Sequence, residues 1–97
     1  MDIQINIENS VSAFSYGDKQ VISGLLSRLN LSLDQGAATV MVKTVAEDLS
    51  VSRATLVNCI KMLCCMGVIS TENRGPAGTL VTVCNAAACR KILELCS

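Results

Sequence analysis

Apolar residues recur along this chain with two different periods, and the switch between them marks out the elements. Val21, Ile22, Leu25, Leu26 and Leu29 fall at helical spacing. They predict a first helix that opens after Ser15, where Ser15 and Asp18 have the form of a capping box, and runs to about Asn30. Residues 31–36 read as a loop and residues 38–41 as a short strand. Val45, Ala46 and Leu49 then share one helical face, and Leu49-Ser50-Val51 breaks the period. Ser52 suits the N-cap of a new helix, with Leu56, Cys59, Ile60 and Leu63 on its buried side. Small Ala46 would let that second helix cross closely above the first.

Gly67 is the expected left-handed cap that ends the second helix. Residues 68–73 look like a strand, and residues 74–78 (RGPAG) form a turn holding the chain's single proline. Residues 79–84 are β-branched and largely apolar, which suits the return strand of a hairpin. Asn85 would cap a closing helix whose apolar face carries Cys89, Ile92, Leu93 and Cys96 and packs on the core or forms part of a dimer interface. Packing on the core is the preferred alternative. Near the start, Ile3, Ile5 and Ile7 alternate with polar residues, a strand-like pattern that needs a partner. The pattern predicts an α+β chain, mainly α. Its architecture is a winged helix-turn-helix: helices plus a small antiparallel β-hairpin or three-stranded wing sheet. Residues 1–14 are expected to be an N-terminal arm or linker remnant, and residues 15–97 the domain.

Ninety-seven residues supply one core, and with 51% apolar but only 2% aromatic residues that core is aliphatic and sulfur-rich. Phe14 and Tyr16 are the only rings, which argues against a stacking platform for single-stranded nucleic acid. No apolar run is long enough to span a bilayer and no signal-peptide pattern opens the chain, so a cytoplasmic protein without membrane contact is expected. There is no histidine, hence no general base poised near neutrality, and Glu47-Asp48 read as a solvated helix face. The RGPAG turn lacks the lysine and following helix of a phosphate loop. A non-enzyme without cofactor is expected.

Six cysteines form no C-x-x-C pair. The preferred reading is buried reduced thiols acting as small hydrophobes; a redox or metal-sensing cluster and structural disulfides are the alternatives. Cys64 and Cys65, being adjacent, point in different directions, and one of them must lie nearer solvent.

The chemistry-bearing pattern is the exposed side of the second helix. Ser52, Arg53, Ala54, Asn58 and Lys61 fall there, residue types and spacing that a recognition helix offers a major groove. Arg53 would read a guanine or hold a phosphate. Asn58 would contact an adenine edge or the backbone, and Ser52 and Lys43 would fix phosphates. Lys61 would add charge at the groove rim, Arg74 would serve the wing, and Thr44 completes the candidate set. Eight basic and eight acidic residues give zero net charge, which is unusual for a DNA-binding domain. Between residues 49 and 71, however, the charges are Arg53 and Lys61 with no acid. So few phosphate contacts per copy imply weak binding by one copy and a shallow salt dependence.

Residues 44–83, TVAEDLSVSRATLVNCIKMLCCMGVISTENRGPAGTLVTV, resemble the C-terminal DNA-binding domain of the CodY family. That family comprises global regulators of low-GC Gram-positive bacteria that respond to branched-chain amino acids and GTP. The likeness rests on Arg53, Leu56-Val57-Asn58, Lys61, Leu63, Gly67-Val68-Ile69 and Gly78-Thr79, and extends more loosely to Phe14-Ser15-Tyr16. It implies the winged-helix domain of a dimeric repressor that reads AT-rich double-stranded DNA. Ala54 stands where the family usually has serine, and Ala77 where its wing usually has lysine. The family's sensing domain is not carried by this sequence, so no small-molecule effector site is expected in it. The rival expectations are a winged helix used for protein–protein contact, and a thiol switch on the same fold using Cys64, Cys65, Cys84 and Cys89.

Overall fold

A computed structural model describes residues 11–32 and 34–96. The elements bounded within the described residues are four α-helices and a three-stranded antiparallel sheet, in the order α1 (Tyr16–Leu26), β1 (Ala37–Val40), α2 (Val42–Asp48), α3 (Arg53–Cys65), β2 (Ile69–Asn73), β3 (Thr79–Val83) and α4 (Ala86–Cys96). The architecture is α+β and mainly helical. The alternation at Ile3, Ile5 and Ile7 lies outside the described residues.

Ser15 caps α1, its Oγ accepting from the Asp18 amide at 3.1 Å. The Asp18 carboxylate accepts from the Cys59 thiol (3.8 Å), tying the start of α1 to α3. The helix ends at Leu26, short of the expected Asn30. The amides of Arg28 and Leu29 reach back only three residues, to Leu25 and Leu26, and tighten the last turn. That turn delivers Leu29 and Leu31 to the core, where both are buried. Val11 is buried as well and Phe14 packs against the core, so packed structure begins before the expected boundary at Ser15.

The strand expected over residues 38–41 lies one residue earlier, because Met41 leaves the sheet as the N-cap of α2. It pairs with β3 from Ala37↔Thr82 to Val40↔Thr79, and β3 pairs on its other side with β2, giving the order β1-β3-β2. Central β3 buries Val81 and Val83, whereas edge β2 buries only Ile69. Val40, Ile69, Val81 and Val83 are the sheet's buried residues, and α1, α2, α3 and α4 supply most of the rest of the core. Ile22, Leu25, Leu26, Leu56, Leu63 and Ile92 are its largest fully buried side chains. Each contributes roughly 1.5–3 kcal/mol by leaving water.

α4 packs its apolar face on the core, with Cys89 and Ile92 fully buried and Leu93 and Cys96 half-buried. Its first turn is held from two directions. Asn85 caps it through a bond from the Ala88 amide (3.0 Å), and the Asp34 carboxylate accepts from the Ala86 amide at 2.7 Å. Arg90 donates in turn to the Leu31 carbonyl. The loop before β1 is therefore a strap across the start of α4, although nothing in its composition suggests one.

Candidate nucleic-acid interface

The turn between α2 and α3 determines where the candidate residues stand. α2 ends in a Schellman arrangement: the Ser50 amide bonds the Glu47 carbonyl at 3.1 Å and the Val51 amide bonds that of Ala46 at 3.0 Å. This requires a left-handed residue, and Ser50 takes that role at φ 58°. Ala46 is buried, as its place near the crossing requires. A second close approach comes from α1, where a Cβ on Gly24 would lie 2.5 Å from Leu49 Cδ2. Gly24 thus seats α1 against the turn, a role its position inside an apolar stripe does not reveal.

Ser52 opens α3, its Oγ accepting from the Thr55 amide at 3.1 Å and lying 2.9 Å from the Thr55 hydroxyl. The cap occupies the hydroxyl that the sequence assigns to a phosphate, so Ser52 serves the helix first. The amides of Arg53 and Ala54, in the first turn, bond no acceptor among the described residues. Ala54 therefore offers a backbone donor where its side chain offers none. Leu56, Cys59, Ile60 and Leu63 are buried, while Arg53, Ala54, Asn58 and Lys61 are exposed, the division expected from spacing.

Lys43 and Thr44 are exposed on α2 and share the two-helix unit with this row. Lys43, Arg53 and Lys61 make no ion pair among the described residues. Arg74 is different. It stands beyond β2 at the base of the hairpin turn, its amide bonded to the Gly78 carbonyl (2.8 Å). Its Nε lies 3.0 Å from Glu72 Oε2, an ion pair that reading Arg74 alone had missed. Strand period gives no signal for it, since Arg74 lies past the end of β2. Arg28 is likewise paired with Asp48, at 3.2 Å, on the acidic end of α2. The cations without a carboxylate partner on this unit are thus Lys43, Arg53 and Lys61.

Gly75–Ala77 form one 3-10 turn at the hairpin tip, and Gly78 at φ 100° closes it. A Cβ on Gly78 would meet Met41 Sδ at 2.7 Å and the Val40 carbonyl at 3.0 Å, so the hairpin base is fitted against the end of β1.

The thiols divide by position. Cys59 and Cys89 are fully buried, Cys64, Cys84 and Cys96 are half-buried and Cys65 is exposed, so the buried reading holds for two of six. Burial, with the Asp18 carboxylate adding to it, pushes the Cys59 thiol up to about 11. Burial and then Cys84 do the same for Cys89, to about 11. Cys89 also points at the Val68 carbonyl, 3.4 Å away. Among the described residues no group of three or more histidine, cysteine or acidic side chains is placed to hold a metal ion. A groove of about 700 Å³ lies between α1 and α4 along Tyr16, Lys19, Gln20, Ser23 and Leu95 and shares no residue with the α2–α3 face. None of the described helices is long and apolar enough to cross a membrane. No family model matches the chain.

Proposed function

We propose that this chain is a winged helix-turn-helix domain that binds double-stranded DNA, as the output part of a CodY-like bacterial transcriptional repressor. The carrying observation is the solvent face of α3. Arg53, Asn58 and Lys61 stand exposed on it, without an acid, beside two first-turn amides that have no acceptor among the described residues. In this reading α3 enters the major groove, with Arg53 on a guanine or a phosphate and Asn58 on an adenine edge or the backbone. Lys43, Thr44 and the amide of Ala54 hold phosphates, Lys61 lies at the groove rim, and the hairpin bearing Arg74 is the wing on the flanking backbone. Lys43, Arg53 and Lys61, which make no ion pair among the described residues, give weak binding by one copy, so two copies acting on one operator supply the affinity. The domain works inside the cell, on an AT-rich operator as the resemblance implies.

Fluorescence anisotropy on a mixed pool of AT-rich duplexes, at two salt concentrations, tests this reading. Wild type binds and weakens as salt rises, whereas Arg53→Ala loses about 1–3 kcal/mol and discriminates less between sequences. Lys43→Ala weakens all duplexes alike. No salt-sensitive binding by wild type at tens of micromolar overturns the proposal in favour of a protein-contact domain. Zero net charge and the pairing of Arg74 with Glu72 favour that second reading.

A further inference from the structure

We infer that Glu72 is an affinity-setting residue of the hairpin, holding Arg74 in place while masking its charge from a nucleic-acid phosphate. The inference rests on the DNA-binding reading above and adds a residue which that reading does not use. Arg74 touches Glu72 through Nε, at 3.0 Å. The two terminal amino groups of the guanidinium have no partner among the described residues. Arginine offers five donors in a rigid fork, and an ion pair at the inner nitrogen leaves the two outer groups to face an incoming anion. Geometry is thus prepared for a phosphate, whereas charge is not, because a carboxylate lies on the same group.

The arrangement is built by the hairpin. Glu72 stands in β2 opposite Leu80, and Arg74 follows two residues later where the Arg74 amide closes on Gly78. Gly78 leaves no room for a Cβ against the end of β1, and its carbonyl holds the Arg74 amide, so the backbone of Arg74 is tied to the base of the turn. Arg74 and Glu72 side chains are 49% and 65% exposed, which makes the attraction between them weak and separable by a competing phosphate. Glu72 is also the first acid after Asp48, ending a stretch in which the only charges are Arg53 and Lys61.

Glu72→Gln removes the negative charge beside Arg74 Nε while keeping the size and shape of the side chain. Duplex binding by anisotropy is compared across a salt series for wild type, Glu72→Gln, Arg74→Ala and the double variant. Both substituted side chains are exposed, and matching thermal unfolding midpoints verify the fold. Glu72→Gln is expected to bind about two- to fivefold tighter and to steepen the slope of log affinity against log salt by up to about one. In the Arg74→Ala background most of that gain disappears. Wild-type binding with no gain from Glu72→Gln overturns the inference and leaves the DNA reading standing. An equal gain with and without Arg74 also overturns it, since Glu72 would then repel phosphate without acting on the arginine. Absence of duplex binding by both wild type and Glu72→Gln overturns both readings.

Discussion

Along one face of α3, Leu56, Cys59 and Leu63 are fully buried and Ile60 nearly so; along the other, Arg53, Ala54, Asn58 and Lys61 stand in solvent. The same helix thus carries the core on one side and the candidate chemistry on the other, with few residues serving both. Ser52 is the exception, since the hydroxyl expected on a phosphate holds the helix start instead. The comparison teaches that substitutions on the two faces should separate stability from binding cleanly, except at the N-terminal end.

The largest effect should come from the buried face. Leu63→Ala leaves a cavity at a position with no exposure and should cost about 2–5 kcal/mol in urea unfolding followed by circular dichroism. Its binding at temperatures where it remains folded should match wild type.

The buried thiols provide the next test, again on stability alone. With folded values near 11 against an ordinary 9.0, Cys59 and Cys89 stay protonated in the native state while the unfolded chain ionises. The unfolded state therefore binds fewer protons between these values, and stability falls as pH rises. The contribution is fully present below about pH 9 and lost as pH climbs through about 11, on the order of 2 kcal/mol for each thiol. Urea unfolding at pH 8 and pH 10.5 should show the drop, and Cys89→Ala should reduce it.

On the exposed face the order reverses. Arg53→Ala should leave the unfolding midpoint within experimental error while weakening duplex binding by about 1–3 kcal/mol. An unfolding shift of similar size would show that the two faces are not independent.

Smallest, and opposite in sign, are the turns that end α2 and α3. Both close in the same Schellman geometry, one on Ser50 at φ 58° and the other on Gly67 at φ 76°. Gly67→Ala meets no atom within 4 Å, so its cost is that of the left-handed backbone alone, about 1 kcal/mol. Ser50→Gly relieves the same strain and should stabilise by roughly 0.5–1 kcal/mol. Thermal unfolding of the pair checks both signs.

The periods that mark α3 and its division into faces were legible because its neighbours press on one side only, and burial followed the helical spacing. The two strands of the hairpin were legible for a similar reason, since β-branched runs flank a glycine–proline turn. The end of α1 was not. Its helical stripe continues through Leu29, yet the chain must turn there to bring Leu31 under α4, where Arg90 binds its carbonyl. Gly24 and Asp34 were silent for a related reason: one matters only through Leu49, the other only through the Ala86 amide, and both partners are remote in sequence.

In the candidate site the sequence supplied the residues that stand in solvent, because exposure on a helix follows from local period. It could not supply their partners. Among the described residues Arg53 and Lys61 have no carboxylate partner while Arg74 has one, and that difference decides how much charge the surface offers. By itself the sequence determined the helices, the hairpin and the polar row on α3, all of them products of local spacing and turn chemistry. Only the tertiary structure decided which amides, carboxylates and glycines meet. Such meetings depend on how elements far apart in the chain pack together, and no local pattern encodes that.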